Sequence, residues 1–287
     1  MNQIGKNMTL QKKIYQKIKY NVLQRHIYGI TSPLRVTPDF LVIGSKRCGT
    51  TSLYEYLGEH PCIKKSSHDH IGFFDDNFHL GINFYKSFFP TIFEKIIFQI
   101  KNGMYLNYDV TSTYIHNTTT SKRVFETLPK IKIIAIIRNP IDRAYSEYNV
   151  NKEINPKIEP FEIFVEKEIE EISNKEESEN NRFLSNKNKY LERGLWFEQL
   201  EPWFKLFPKQ NILILSTEDF GKDSNHIFNI IFKFLNLKKF LIENPKKLRK
   251  ANYPKLDQKT REKLIDFYKS YNLKFYNLVG KDFQWEK

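Results

Sequence analysis

The chain has few cysteines: 287 residues contain two, Cys48 and Cys62. So few thiols exclude a disulfide framework, and no Cys/His pairs show the spacing of a zinc site. Long apolar runs are missing too. No stretch approaches the roughly 18 consecutive apolar residues of a membrane-spanning helix. The basic N-terminus lacks the continuous apolar segment of a signal peptide. Acidic residues are outnumbered, 33 Asp and Glu against 46 Lys and Arg, which leaves a net charge of +13. That surplus favours anionic partners such as a nucleotide, a polyanion or a membrane surface, without choosing among them. No internal repeats occur. Hydrophobic residues reach 40%, with 24 Phe and 16 Tyr, enough for a sizeable core.

The stretch Phe40–Leu57 organises the chain. It reads as a buried strand, a glycine-bracketed turn (Gly44-Ser-Lys-Arg-Cys-Gly49) and a helix opening on Thr50, Thr51 and Ser52. A helix start exposes unpaired N–H groups and a partial positive charge, so this is an anion site. Lys46 and Arg47 add full charges, and the expected ligand bears a phosphate or sulfate.

Before this stretch, residues 1–37 form a basic extension. Leu10, Ile14, Ile18 and Val22 recur every four residues, predicting an amphipathic helix. Its apolar stripe is read first as packing on the domain, with peripheral membrane contact as the other reading. After Pro61 comes an aromatic-rich irregular stretch, 62–90, with a polar cluster from Ser66 to Asp76. Strands are expected at Tyr105–Val110, Lys132–Ile137 and Asn211–Ser216. The second is a continuous β-branched run, the mark of a strand buried on both faces of a parallel sheet. It ends at Arg138-Asn-Pro-Ile-Asp-Arg-Ala-Tyr-Ser146, a second strand–turn–helix unit. Glu166–Glu179 holds seven Glu and two Lys and is read as a solvated helix or mobile excursion, within a Glu-rich excursion over about 151–189 of the domain. Helices are expected near 121–128, after the lead-in Tyr190–Trp196 and through Phe204, over 225–237 and from Asp257. Strands alternating with helices predict an α/β fold with a mainly parallel sheet, whose ligands sit beyond the strands' carboxyl ends.

The loop departs from the nucleotide-triphosphate pattern G-x-x-x-x-G-K-[ST]. Gly44 and Gly49 are correctly separated, but Thr50 follows where that pattern has lysine, and the lysine is Lys46. The strand Lys132–Ile137 ends in Arg138, not in the aspartate that helps hold Mg²⁺. A metal-free reaction on an anionic nucleotide is expected.

Pro38–Tyr54 resembles the 5′-phosphosulfate loop of the sulfotransferases that use 3′-phosphoadenylyl sulfate (PAPS), nearest the heparan-sulfate and carbohydrate branch. Ile133–Tyr148 is similar to that family's 3′-phosphate motif. Phe73-Phe74-Asp75, Asp109–Tyr114, Arg193-Gly-Leu-Trp196, Phe207-Pro208 and Trp285 follow in the family's order over residues 38–287. The resemblance implies a P-loop-like three-layer sandwich and transfer of a sulfuryl group to a hydroxyl or amine, without a metal. Lys46 is then expected to steady the departing phosphate oxygen. Arg47, Cys48, Gly49, Thr50, Thr51 and Ser52 would cradle the 5′-phosphate. Arg138 and Ser146 would bind the 3′-phosphate, with the late segment Arg249, Lys250, Ala251, Asn252 and Tyr253 closing over it.

The acceptor side departs from the family. Where its heparan-type members carry Lys-Glu-x-His, this chain has Asp69-His-Ile-Gly72. The base is expected to be His70, with Asp69 second and His68 a further candidate. The family's lysine near the second strand is replaced by Val110. The acceptor is expected to be a glycan or other hydroxyl compound, with no nucleic acid bound. Lacking an evident anchor or leader, the chain is expected in the cytoplasm. The competing readings are a degenerate P-loop kinase or NTPase, a non-catalytic polyanion-binding protein, and a sulfotransferase without activity.

Overall fold

The computed structural model describes residues 28–174, 189–243 and 253–286. Five strands form one sheet: β1 (Phe40–Gly44), β2 (Ile63–Lys65), β3 (Leu106–Val110), β4 (Lys132–Ile137) and β5 (Ile212–Ser216). Their order is β2-β3-β1-β4-β5 and every pairing is parallel. Val42 sits between Val110 on one side and Ile134 on the other. All five residues of β1 are buried, as are the last five of β4. A sheet covered on both faces explains why these strands read as unbroken apolar runs.

The helices among the described residues are α1 (Thr50–Leu57), α2 (Gly81–Lys86), α3 (Ile92–Asn102), α4 (Thr118–Thr127), α5 (Pro140–Ile154), α6 (Phe161–Ser173), α7 (Trp196–Leu206), α8 (Thr217–Lys222), α9 (Ser224–Phe234) and α10 (Gln258–Val279). Local chemistry starts several of them. Thr91 and Glu94 form a reciprocal capping box on α3. Asn139 caps α5 with Pro140 at its first position. Asp257 caps α10 through the amide of Thr260.

The strand order fixes where a ligand can sit. The chain leaves β1 toward the β2 edge and leaves β4 toward the β5 edge. Between these adjacent strands the two connections part, opening a crevice at their carboxyl ends. The main core lies on the sheet. A smaller apolar cluster of Tyr148, Phe161, Val165, Tyr190 and Tyr268 joins α5, α6 and α10 beside that crevice.

Two sequence readings need correction. The stretch 62–90 is not wholly irregular, since it contains β2 and α2. A three-residue strand is too short to show a period. The Glu-rich segment does begin in a helix, but not a fully solvated one: α6 packs through Phe161 and Val165, and Glu168 is buried. The Glu168 carboxylate accepts from the amides of Tyr190, Leu191 and Glu192, so it anchors the backbone at 190–192. The rest of that segment, 175–188, lies outside the described residues, as does the expected N-terminal helix within residues 1–27.

Candidate active site

The site begins with the turn after β1. Gly49, at φ +99°, precedes α1 and supplies no side-chain cap. The first-turn amides of α1 are therefore left to an outside acceptor. Gly44 lets the backbone pass close to β4: a Cβ there would stand 2.5 Å from the Ile136 carbonyl oxygen. Arg47 adopts φ +72°, a left-handed conformation costing a non-glycine residue on the order of 1 kcal/mol. Two contacts hold it. Arg47 Nε donates to Ser146 Oγ at 3.0 Å, and Arg138 Nη1 donates to the Arg47 carbonyl at 3.2 Å. The loop after β1 and the turn after β4 thus share one rim, with Arg47, Arg138 and Ser146 in contact.

Further ties position this rim. Thr217 Oγ1, just past β5, lies 2.7 Å from the Cys48 carbonyl and 2.9 Å from that of Ile137. Trp196 Nε1 donates to the Arg138 carbonyl at 3.0 Å. The Asn139 side-chain amide donates to the Trp285 carbonyl. Tyr253 meets Tyr145 edge-on at 5.4 Å, which puts it beside the Ser146 helix. Arg249, Lys250, Ala251 and Asn252 lie outside the described residues.

Lys46 is exposed at the crown of the loop, Thr51 is also exposed, Thr50 is buried and Ser52 half-buried. Cys48 departs from the expected cradle. Its side chain is fully buried and its amide donates to the Ser45 carbonyl at 3.2 Å, so neither is left for a ligand. Burial pushes its thiol up to about 12 despite nearby Arg143, and both cysteines are free.

Beneath the loop runs a polar chain that sequence reasoning missed. Gln199 Nε2 donates to the Glu192 carbonyl at 3.0 Å, which turns Gln199 Oε1 toward His116 Nδ1, also at 3.0 Å. His116 Nδ1 must then carry the proton, leaving Nε2 to accept from Ser45 Oγ at 3.1 Å. Burial holds the His116 imidazole well below its ordinary range, and the Arg193, Arg143 and Lys46 charges push the same way. It is a neutral acceptor propping the loop. Behind it, fully buried Arg143 pairs with Glu147 at 2.7 Å, and Glu147 also takes Arg193 at 2.5 Å. A lone histidine after a strand gives no sequence signal of this role.

The acceptor side is built on Asp109, fully buried at the end of β3. Its Oδ2 accepts from Tyr85 at 3.0 Å and Tyr114 at 2.8 Å, and its Oδ1 accepts from Thr111 at 2.8 Å. Burial outweighs these hydrogen bonds and pushes its carboxyl up to about 6. The Tyr114 hydroxyl in turn accepts from the amides of Phe73 and Phe74. This fixes the 66–76 segment over the sheet. His70, at φ +60°, donates its amide to the Val110 carbonyl at 2.7 Å. The side chains of His70 and Asp69 are exposed there, one strand over from the loop, while His68 packs edge-on against Phe88. Val110 is buried and brings no cation. Among the described residues no group of three His, Cys, Asp or Glu is placed to hold a metal ion.

Comparison with known proteins agrees with this architecture. The sulfotransferase domain model matches residues 37–274. The membrane-associated sulfotransferase kil1 of Dictyostelium discoideum is 24% identical over 90% of this chain and 68% of its own length. Heparan sulfate glucosamine 3-O-sulfotransferase 3A1 of Mus musculus is 26% identical over 87% of this chain and 64% of its own. The human bifunctional heparan sulfate N-deacetylase/N-sulfotransferase 1 is 26% identical over 85% of this chain but only 30% of its own. Among solved structures, a sulfotransferase from Alicyclobacillus acidocaldarius superposes with a TM-score of 0.68 at 21% identity, covering 88% of this chain and all of that one. The shared fold is the parallel sheet described above.

The expected cytoplasmic placement is overturned, since the similar proteins include one named as membrane-associated. That expectation rested on the lack of a long apolar run. Among the described residues no helix is long and apolar enough to cross a membrane, which bears on spanning and not on where the chain resides. With its domain match spanning both anion-binding turns, the chain belongs to the sulfotransferase domain family and is an enzyme of sulfuryl transfer.

Proposed function

We propose that the crevice between β1 and β4 takes PAPS and that the sulfuryl group passes to a glycan hydroxyl or amine. The observation that carries this reading is the shared rim: Arg47 reaches Ser146, and Arg138 reaches the Arg47 backbone. A donor with a 5′-phosphosulfate and a 3′-phosphate on one nucleotide needs two anion sites on one rim. The α1 amides, the uncapped Gly49 and the close approach at Gly44 fit a 5′-phosphosulfate. The Arg138 fork and the Ser146 hydroxyl fit a 3′-phosphate. Tyr253, the last residue of the late segment that the family resemblance singles out, lies beside Tyr145 on the Ser146 helix.

In the reaction, the acceptor oxygen or nitrogen forms a bond to sulfur as the bond between sulfur and the 5′-phosphate oxygen breaks. Negative charge grows on that phosphate oxygen. Lys46 and the α1 amides are preorganised for it, and removing one such donor typically costs on the order of 10²–10³ in rate. The acceptor's proton goes to His70 or Asp69, both exposed on the segment held by Tyr114. A glycan acceptor is supported by the heparan sulfate enzymes among the similar proteins. It is also supported by the net positive charge, which suits a uronate-bearing or already sulfated chain.

The test is incubation with ³⁵S-labelled PAPS and a panel of glycans, phenols and amines, in excess EDTA. Label on a glycan supports the proposal. Transfer only to phenols or small amines removes the glycan acceptor. No transfer to any acceptor removes the whole reading.

A further inference from the structure

We propose that the α3 flank of the domain is a docking face for an anionic lipid surface. The inference does not depend on the identity of the sulfuryl donor or acceptor. Helix α3 has no buried residue along its length. It rests on the domain through Phe98, which meets Tyr105 edge-on at 5.5 Å, and through Lys95 over the same ring. Phe93, Ile96, Ile97 and Ile100 follow the i, i+3, i+4, i+7 spacing of one helical face. All four are exposed, Ile97 to 67% and Ile100 to 80%. The patch continues onto the chain entering the domain. Arg35 bridges to Thr91 at the start of α3, and Ile30 and Leu34 beside it are 80% and 51% exposed. A contiguous apolar face of this kind marks an interaction site.

Charge selects the occupant. Lys64 and Lys101 are exposed along this flank, and Glu94, the acid of α3, is engaged in the capping box. A second copy of the chain, packed about a two-fold axis, would bring the lysine rim against itself. The chain's own residues 1–27 carry six Lys/Arg and no Asp or Glu, so their docking on this face would also set like charges together. Apolar residues on one face with basic residues at the edges are what an anionic bilayer interface attracts.

Flotation of the purified chain with vesicles tests this. Vesicles of phosphatidylcholine with about a quarter phosphatidylserine are compared with pure phosphatidylcholine. Binding is expected to the anionic vesicles, weakening with added salt. Ile97→Glu with Ile100→Glu should lower the partition coefficient on the order of tenfold or more, and Lys64→Glu with Lys101→Glu should act in the same direction. Both pairs are exposed, so thermal melting and PAP binding should stay unchanged. No flotation of the wild-type chain overturns the proposal. Flotation indifferent to the Ile97/Ile100 pair overturns it as well, assigning lipid contact to residues 1–27. A dimer seen by ultracentrifugation, lost in that pair without any flotation, assigns the face to a second copy instead.

Discussion

Asp109→Asn probes the buried carboxylate that holds the acceptor-side segment. Burial lifts its carboxyl from an ordinary value of 3.8 to about 6. The folded protein therefore binds this proton more tightly than the unfolded chain. Stability contributed by the group falls as pH rises from about 4 to about 6, and above that the full penalty is present. A gap of about 2 between those values, at 1.36 kcal/mol each, makes the penalty ~3 kcal/mol at neutral pH. Asparagine has the same shape and no such slope. It loses an acceptor, however. The Tyr85 and Tyr114 hydroxyls donate to one carboxylate oxygen and Thr111 to the other. Tyr114 also receives two amides, so it cannot turn away. The cheapest orientation keeps the asparagine oxygen toward the tyrosines and gives up the Thr111 bond, costing about 1–3 kcal/mol. Urea unfolding of both proteins should then find the Asp109→Asn variant less stable at about pH 4.5, and equal to or above the wild type at about pH 7.5, a relative change of ~2 kcal/mol. A difference that does not vary with pH, or one moving against the variant as pH rises, refutes the argument.

Other expectations test the site itself. Lys46→Ala should lower kcat on the order of 10²–10³ while PAP affinity changes only a few-fold, measured by single-turnover kinetics and calorimetry. Arg138→Lys keeps the charge but loses the planar fork. PAP affinity should fall about tenfold or more, and unchanged affinity would remove Arg138 from the 3′-phosphate site. His70→Ala should reduce kcat on the order of 10²-fold, whereas full activity transfers the base role to Asp69. Gly44→Ala places a Cβ 2.5 Å from a β4 carbonyl oxygen, so thermal melting should drop or soluble protein be lost. Normal stability there would show that β1 and β4 separate easily.

The strands and both anion-binding turns were legible because their signals are local. Unbroken β-branched residues mark β4, and glycines with adjacent hydroxyls mark the loop before α1. Arg47, Arg138 and Ser146 were named from the motifs, and the fold brings them together. What escaped depends on distant partners. His116 acquires its role from Ser45, 71 positions away, and from Gln199, 83 positions away. Glu168 looked like one of many surface acids until three amides from beyond the 175–188 segment closed on it. Cys48 stood inside the anion motif, yet its side chain points into the core, a direction that spacing alone does not encode. The α3 face has the apolar spacing of a packed helix, and spacing alone does not say that it has no buried residue.

The proposed function rests on the β1/β4 crevice being a two-phosphate site for the sulfuryl donor. Calorimetric titration of the wild-type chain with PAP, in excess EDTA and again in Mg²⁺, tests it most directly. Saturable binding of equal affinity is expected in both buffers, lost in an Arg47→Ala, Arg138→Ala double variant. Failure of the wild-type chain to bind PAP, or tighter binding of ATP that requires Mg²⁺, would contradict it.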